Sequence, residues 1–320
     1  MCRLVAGRSR PPSSVLCASV PLWFSFMRIR IGSRGSALAL WQAEHVKGRL
    51  EQVGHQVELR IITTTGDRVQ DRPLDSVGGK GAFLKEIEEA LLAEEVDLAV
   101  HSLKDVPTAL PEGLTLCAFL QRADPRDALL SASGKPLDQL ASGSRIGTTS
   151  LRRRSQLLAL RPDLLVADLR GNVDTRIRRL REGAFDAIIL AMAGLTRLGR
   201  AAEVTEVLDP GVMLPAPGQG AIALECRQSD LALAAAVRPL DHEATARAVR
   251  AERAFLAGLG GGCNVPLGAF AAEQDGGLLL SAFVARLDGS ELLRDERRGH
   301  DPDTLGQELA EALVARGAAA

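Results

Sequence analysis

The fold is decided by Arg30-Ile31-Gly32-Ser33-Arg34-Gly35-Ser36 and by its counterpart Arg145-Ile146-Gly147-Thr148-Thr149-Ser150. Each stretch begins as a short apolar strand, turns at glycine and hydroxyl side chains, and continues into a helical pattern over 37–50 or 151–160. Ser36 and Ser150 stand at the N-cap position, where a hydroxyl oxygen accepts a hydrogen bond from the first helical turn. The sequence therefore predicts the same strand–turn–helix unit twice.

The similarity between the two units continues downstream. A helical pattern over 83–96 leads into the apolar strand 97–100, and a helical pattern over 173–183 leads into the apolar strand 186–190. Continuous apolar strands that alternate with helices are typical of largely parallel sheets covered on both faces. We expect two similar α/β domains that face each other across a cleft.

The last part of the chain has a different pattern. A helix is predicted over 246–256, and strand-like segments over 278–286 and 291–297 carry turn signals at Asp275-Gly276 and Asp288-Gly289. A final amphipathic helix is predicted over 304–314. This pattern indicates a small α+β domain with an antiparallel sheet.

Composition excludes several functional classes. The 320 residues include no tyrosine and only 3% aromatic residues, and the net charge is -1. These values disfavour aromatic base-stacking surfaces and membrane aromatic belts, so we expect no nucleic-acid or membrane partner. The five cysteines show no CxxC spacing and are odd in number, which favours a reduced, cytoplasmic protein without a metal site.

Residues 1–26 differ from the rest of the chain. No acidic residue precedes Glu44, and a strand pattern starts directly after Met27. We expect 1–26 to be an extension, disordered or not native, with a transit segment as the alternative.

The end of the strand 97–100 carries the first candidate for chemistry. Ligands of open α/β sheets bind beyond the carboxyl ends of strands, and this strand runs into His101-Ser102-Leu103-Lys104-Asp105-Val106-Pro107. Asp105 is therefore a candidate catalytic carboxylate, and a plain turn aspartate before a proline is the alternative. His101 is expected to be a packed histidine.

The second unit is rich in arginine. Residues 145–200 contain twelve arginines, no lysine and five acidic residues, a local excess of seven positive charges. Arginine binds carboxylates and phosphates through a planar fork, and helix N-termini also favour anions. The arginines at strand ends and helix starts, Arg152, Arg153, Arg170 and Arg176, predict an anion-lined cleft.

A glycine-rich loop carries the second candidate, Gly260-Gly261-Gly262-Cys263-Asn264-Val265-Pro266-Leu267-Gly268. The glycines permit close approach of another molecule, so the Cys263 thiol could be a nucleophile or a covalent attachment point. A helix C-cap with an incidental cysteine is the alternative.

Three functions remain open from the residues. They are an enzyme acting on a small polycarboxylate with a covalent step at Cys263, a two-lobed small-anion-binding protein without catalysis, and a nucleic-acid binder. The last is weakest, because the basic residues are scattered over turns without aromatic partners.

The chain from about Met27 onward resembles the porphobilinogen deaminase (hydroxymethylbilane synthase) family. The stretches that carry the resemblance keep the family's order and are 31–42, 77–83, 100–107, 147–153, 169–173, 214–220 and the loop around Cys263. The resemblance implies two domains like periplasmic binding proteins and a third domain that holds the cysteine. The expected boundaries are 27–122 plus 220–240, 123–219 and 241–320.

The resemblance also implies an activity and site residues. Members are transferases of tetrapyrrole biosynthesis that add four porphobilinogen molecules in turn to a dipyrromethane cofactor, attached to the cysteine as a thioether, and release hydroxymethylbilane. Asp105 maps to the catalytic aspartate and Cys263 to the attachment point. The positions implied for the cofactor are Lys80, Ser102, Lys104, Thr148, Ser150, Arg152, Arg153 and Arg170. Those implied for the substrate are Arg34, Ser36, Gln42, Arg176, Arg197 and Gln219. A cytoplasmic monomer is expected.

Overall fold

The computed structural model describes residues 26–68, 84–260 and 265–318. The helices are α1 (Ala37–Gln52), α2 (Thr65–Arg68), α3 (Lys85–Leu92), α4 (Leu151–Leu160), α5 (Val173–Arg181), α6 (Met192–Arg197), α7 (Leu231–Val237), α8 (Glu243–Gly258) and α9 (Pro302–Ala315). The strands are β1 (Arg28–Ser33), β2 (Gln56–Ile61), β3 (Leu98–Ser102), β4 (Leu114–Phe119), β5 (Asp127–Ser131), β6 (Arg145–Gly147), β7 (Leu165–Ala167), β8 (Ala187–Ala191), β9 (Glu206–Leu208), β10 (Ile222–Arg227), β11 (Leu267–Gln274), β12 (Gly277–Ala285) and β13 (Leu292–Gly299).

Two five-stranded sheets have the same arrangement. The first has the order β2-β1-β3-β10-β4 and the second the order β7-β6-β8-β5-β9. We call these sheets, with the helices packed on them, the first lobe and the second lobe. The expectation of two similar α/β lobes is confirmed.

Each sheet contains one strand that runs against the others. β1 pairs in parallel with β2 and β3, whereas β10 is antiparallel to both β3 and β4, and β5 is antiparallel to both β8 and β9. The reversal arises because the chain passes between the lobes twice. Residues 120–126 lead from β4 to β5 (the first crossover), and residues 209–221 lead from β9 to β10 (the second crossover).

The strand–turn–helix units form as predicted. The hydroxyl of Ser36 accepts from the backbone N–H of Ala39, and that of Ser150 accepts from the N–H of Arg153. The central strands are apolar and buried on both faces, as at 128–130 and 187–190. Gly147 is required at the second turn, since a Cβ there would lie 2.9 Å from the side chains of Leu169 and Phe185.

The helix predicted over 83–96 is shorter in the structure. It ends at Leu92, and Glu94 adopts a φ of 57°, a left-handed conformation that ends the helix before β3. β3 begins at Leu98, one residue after the predicted start, and the Asp97 carboxylate accepts hydrogen bonds from the backbone and the guanidinium of Arg30. Phe83 lies outside the described residues.

The third unit consists of α8, α9 and the antiparallel sheet β11-β12-β13. The predicted small α+β unit is confirmed, with one additional strand. β11 is missing from the sequence-based prediction because its small residues Ala269, Ala271 and Ala272 give a weak strand pattern. The domain boundaries given above stay a prediction.

No helix within the described residues is both long and apolar enough to cross a membrane.

Candidate active site

The candidate catalytic carboxylate lies at the carboxyl end of a central strand. β3 continues into one 3₁₀ turn, Leu103–Asp105, which the hydrogen bond from Val106 N to Leu103 O closes. The N–H of Leu103 donates to Ala221 O of the second crossover. Asp105 is partly exposed at the end of this turn, where open α/β sheets bind their ligands.

A cavity of about 90 Å³ adjoins this turn. Five of the predicted site residues line it together, Arg34, Ser36, Gln42, Ser102 and Asp105. Gln42 is buried and its Nε2 donates to Ser102 Oγ at 2.8 Å. The remaining lining is largely apolar, with Leu84, Ile87 and Val106 among its residues. The cavity therefore offers an apolar surface with one carboxylate and one guanidinium on its wall.

The second lobe is organised around a buried carboxylate, Asp127. Its Oδ1 accepts from Arg153 Nη2 at 2.7 Å and from Gln219 Nε2 at 2.9 Å, and its Oδ2 lies 2.7 Å from Arg152 Nη1. Burial alone would raise the pKa of Asp127, but the two guanidinium groups outweigh burial and hold this pKa well below its usual range. Asp127 is therefore the counter-ion of two adjacent arginines.

The two arginines have few remaining donors. Arg153 Nη1 donates to Ile189 O at 2.9 Å, and Arg152 Nη1 donates to Leu214 O at 2.7 Å. Both side chains are buried, and burial lowers the pKa of Arg152 against the pull of Asp127. The buried Nε of Arg152 has no hydrogen-bond partner among the described residues. It is a donor that a ligand could satisfy.

The predicted hydroxyl and amide groups shape the turns. Thr148 Oγ1 accepts from Ser150 N at 3.1 Å, and Ser150 Oγ caps α4. Gln219 is buried in the second crossover, where its Nε2 also donates to Pro125 O at 2.7 Å. These side chains hold the backbone that carries the charged groups.

Cations of both lobes interact electrostatically with Asp105. Burial lowers the pKa of Lys104 to about 8 against the opposing charges of Asp105 and Asp127, while Arg152 and Arg153 lower it further. Burial lowers the pKa of Arg176 to about 10, Arg153 adds to the shift, and Asp105 opposes it. Asp105 of the first lobe thus interacts with Lys104 of the same lobe and with Arg176 of the second.

Arg176 and Arg197 have no carboxylate partner among the described residues. Arg176 Nε donates to Gly171 O at 2.8 Å. Arg197 Nη2 donates to Gly220 O at 2.7 Å, and its guanidinium carbon lies 5.7 Å from the centre of the Trp41 ring. Burial lowers the pKa of Arg197 to about 10. Arg197 therefore lies between α6, α1 and the second crossover, beside the cluster around Asp127.

The remaining predicted site residues are Arg170, Lys80 and Cys263. Arg170 is half-buried in the turn between β7 and α5. Lys80 and Cys263 lie outside the described residues.

Sequence reasoning missed the acidic residues that fix the site. Asp127 opens the apolar strand β5, and Glu252 lies on α8. Glu252 is fully buried and accepts from Arg122 Nη1 at 2.6 Å, Gly218 N at 2.6 Å and Ala271 N at 2.9 Å. It thus joins both crossovers to the third unit. The only signal in the sequence is an acidic residue within an otherwise apolar face.

His101 is buried, as expected of a packed histidine, and its Nε2 lies 2.8 Å from Glu225 Oε2 on the neighbouring strand β10. Glu225 is fully buried as well. The pair fixes β3 to β10 directly before the Asp105 turn.

The fold and the described residues define a two-lobed α/β protein in which a partly exposed carboxylate, Asp105, interacts with cations of both lobes. Comparison with known families then gives a definite assignment. A family model described as "Porphobilinogen deaminase, dipyromethane cofactor binding domain" matches residues 29–235, and "Porphobilinogen deaminase, C-terminal domain" matches residues 246–315. The chain belongs to the porphobilinogen deaminase family.

Individual relatives agree with this assignment. The porphobilinogen deaminase of Syntrophobacter fumaroxidans is 52% identical over 294 residues, which cover 91% of this chain and 95% of that protein. The porphobilinogen deaminase of Thiobacillus denitrificans is 50% identical over 296 residues, covering 91% and 97%.

Among solved structures, an ancestral cationic amino acid solute binding protein aligns with a TM-score of 0.43 and 12% identity over 67% of this chain and 87% of its own. The methionine binding protein MetQ aligns with a TM-score of 0.41 and 15% identity over 67% and 88%.

The charged groups of the cleft fit a dipyrromethane group. Each of its two pyrroles carries an acetate and a propionate, so the group is polyanionic. Lys104 and Arg176 interact electrostatically with Asp105, and Arg152 and Arg153 pair with Asp127. An anion in this cleft would offset the excess positive charge and could accept from the buried Nε of Arg152.

Proposed function

We propose that this chain deaminates porphobilinogen, joins four molecules head to tail on a dipyrromethane primer and releases hydroxymethylbilane. Family membership supports the reaction. The observation that carries the proposal for this cleft is the partly exposed carboxylate of Asp105, which interacts with Lys104 of the first lobe and Arg176 of the second.

Asp105 is the proposed catalytic residue. When porphobilinogen loses ammonia from its aminomethyl group, the azafulvene that remains is cationic. A carboxylate held near the pyrrole nitrogen stabilises that developing charge and can accept and return its proton. The turn 103–105 suits this role because backbone hydrogen bonds fix it at both ends.

The cations of the cleft are proposed to hold the acetate and propionate groups. Lys104, Arg152 and Arg176 can contact them directly, with Arg34 beside the cavity and Arg170 at the edge of the second lobe. Arg153 acts through Asp127, which also orients Arg152. A bound carboxylate would raise the pKa of Lys104 and keep it charged.

The uncharged groups are proposed to complete the site. Ser36, Ser102 and Gln42 belong to the cavity wall beside Asp105. Thr148 and Ser150 hold the turn before α4, and Gln219 and Arg197 hold the second crossover. Lys80 is proposed as a further cofactor contact.

The primer is proposed to be attached at Cys263. This residue lies between α8, which ends at Gly258, and β11, which begins at Leu267. The N–H of Ala269 on β11 donates to Pro215 O of the second crossover, so the strand that follows Cys263 is fixed near the cleft. When bound, the dipyrromethane group supplies the pyrrole carbon to which the incoming substrate is joined.

The intact mass of the purified protein tests the attachment. Protein made in cells with ample porphobilinogen should carry a mass excess of two linked pyrroles, and Cys263→Ser should lack it. Cys117→Ser is the matched control, because Cys117 is a free thiol elsewhere, and it should keep the excess. An unmodified mass in the native protein would favour an anion-binding protein without catalysis.

Steady-state assays test the role of Asp105. Asp105→Asn should lose turnover while it keeps the fold and the mass excess, whereas the exposed Glu89→Gln on α3 should be as active as the native chain. Normal turnover in Asp105→Asn would refute the assignment.

A monomer in the cytoplasm remains the proposed state. The free thiols of Cys117 and Cys226 agree with a reducing compartment. Light scattering of the purified protein measures the oligomeric state.

A further inference from the structure

An arginine of the third unit holds the backbone that follows Asp105. Arg253 on α8 donates from Nη1 to Val106 O at 3.0 Å and from Nη2 to Pro107 O at 2.6 Å and Thr108 O at 3.3 Å. One guanidinium thus binds three consecutive carbonyl groups, which belong to no helix or strand. Their position depends on α8.

Arg253 is a charged side chain that is partly buried among neutral groups. Burial lowers its pKa, with the charge of Glu225 opposing the shift. Within the described part of the chain Arg253 forms no ion pair, and its guanidinium donates to three neutral backbone carbonyls. A partly buried guanidinium without a direct counter-ion adds little stability by itself. The clearest effect of Arg253 is therefore to hold these three carbonyl groups in place.

The segment that carries Asp105 is therefore fixed from two sides. The first lobe holds its beginning through the pair of His101 with Glu225 and through the hydrogen bond between Gln42 and Ser102. The third unit holds its end through Arg253. Asp105 lies between these two fixed points.

Helix α8 is itself fixed to the frame of the molecule. The residue before Arg253, Glu252, is bound by Arg122 of the first crossover and by Gly218 of the second. α8 ends at Gly258, five residues before Cys263. The same helix thus leads to the proposed primer attachment and contacts the turn that carries the proposed catalytic carboxylate.

We infer that Arg253 is a positioning residue, which fixes the place of the Asp105 carboxylate by holding the backbone that follows it. The inference rests on the proposed function of Asp105. It assigns to the third unit a second task besides holding the primer.

Arg253→Met tests the inference, because methionine keeps an apolar stem and removes all donors. We expect kcat to fall roughly 10- to 100-fold, since a displacement of about 1 Å at a reacting group has effects of this size. KM should change less than about threefold, because the carboxylate-binding cations remain in place. The mass excess of the primer should be unchanged. Arg253→Lys keeps the positive charge but lacks the planar guanidinium, so its kcat should lie between those of the native chain and Arg253→Met.

The matched control is Arg250→Met, which removes an exposed arginine one turn earlier on the same helix and should leave kcat unchanged. Asp105→Glu provides the second control, because it shifts the carboxylate by one methylene. In that background Arg253→Met should reduce kcat by less than in the native chain, since both changes displace the same group.

The outcomes separate the inference from the function on which it rests. If Asp105→Asn is inactive and Arg253→Met keeps kcat within about twofold of the native value, the inference is overturned and the proposed function stands. Equal reductions of kcat in the native and Asp105→Glu backgrounds would also overturn it, because Arg253 would then act independently of Asp105. If Asp105→Asn is fully active, the proposed function fails first. Should Arg253→Met not fold, Arg253→Lys is read by the same criteria.

Discussion

Asp127 is the residue whose replacement gives the sharpest test of how the cleft is built. Its carboxylate is fully buried and is the shared counter-ion of Arg152 and Arg153, and it also accepts from Gln219. Asp127→Asn keeps the size of the side chain and removes its charge. Two buried guanidinium groups then remain without their counter-ion.

The expected loss follows from the burial of the pair. Removal of one partner of a buried ion pair costs about 3 to 5 kcal/mol, because the other charge stays uncompensated. Unfolding entropy is about 2.1 cal/mol/K per residue, or roughly 0.7 kcal/mol/K for a chain of 320 residues. The thermal midpoint of Asp127→Asn should therefore fall by about 4 to 7 °C if the chain unfolds as one unit.

The pH dependence supplies an independent check. The pKa of Asp127 is lowered in the folded chain, so its stabilising effect is present above the unfolded pKa of about 4 and is lost only as the pH falls through the folded value. The difference between the thermal midpoints of the native chain and Asp127→Asn should therefore stay constant from about pH 5 to about pH 8.

Calorimetric melting curves of both proteins measure the gap. Asp163→Asn is the matched control, since Asp163 pairs with Arg161 at 2.7 Å on the surface of the same lobe and should cause a much smaller shift. A midpoint for Asp127→Asn equal to that of the control, or a gap that closes between pH 8 and pH 6, would refute the view of Asp127 as a buried counter-ion.

Three further predictions concern the cleft and the crossovers. In protein prepared without the dipyrromethane group, burial lowers the pKa of Lys104 to about 8. Unfolding above this pH takes up a proton, so the free energy of unfolding should rise from about pH 8 to about pH 10. Melting curves of Lys104→Met should lack this rise. Gly218→Ala combines a φ of 72° with a Cβ 2.7 Å from a buried leucine side chain, so it should lower the free energy of unfolding by about 2 to 4 kcal/mol. Gly199 has a φ of 69° and open space around it, so Gly199→Ala should lower the same quantity by only about 1 to 2 kcal/mol. Denaturant unfolding compares the two variants. Arg197→Met removes the cation above Trp41 and the hydrogen bond to the second crossover. It should lower the free energy of unfolding by about 2 kcal/mol and increase the quenching of Trp41 fluorescence by acrylamide. Unchanged quenching would contradict a contact between the lobes at Trp41.

Local signals explain what the sequence could predict. The hydroxyl caps at Ser36 and Ser150 and the apolar strands after each helix are short-range patterns, and they gave the two lobes. The place of Asp105 at a strand end follows from the same patterns, because ligands of α/β sheets bind at that edge.

Pairs that form only in three dimensions explain the rest. Asp127 and Arg152 are 25 positions apart, and Arg122 and Glu252 are 130 apart, so no periodicity links them. The antiparallel direction of β10 and β5 likewise depends on where the chain crosses between the lobes. The arginines at strand ends and helix starts lie on the second lobe, but the pairing of Arg152 and Arg153 with a buried acid could not be inferred from their spacing.

The charges divide the proposed reaction between the two lobes. The first lobe supplies Asp105, which would face the positive charge that develops on the substrate, and the second supplies the arginines that would face carboxylates. Lys104 and Arg176 already interact with Asp105, and every further free cation beside it would weaken its effect on a positive azafulvene. Asp127 limits their number, because it binds the guanidinium groups of Arg152 and Arg153 inside the second lobe. A buried acid therefore keeps the cleft cationic enough for a polyanionic chain without neutralising the one carboxylate that would act on it.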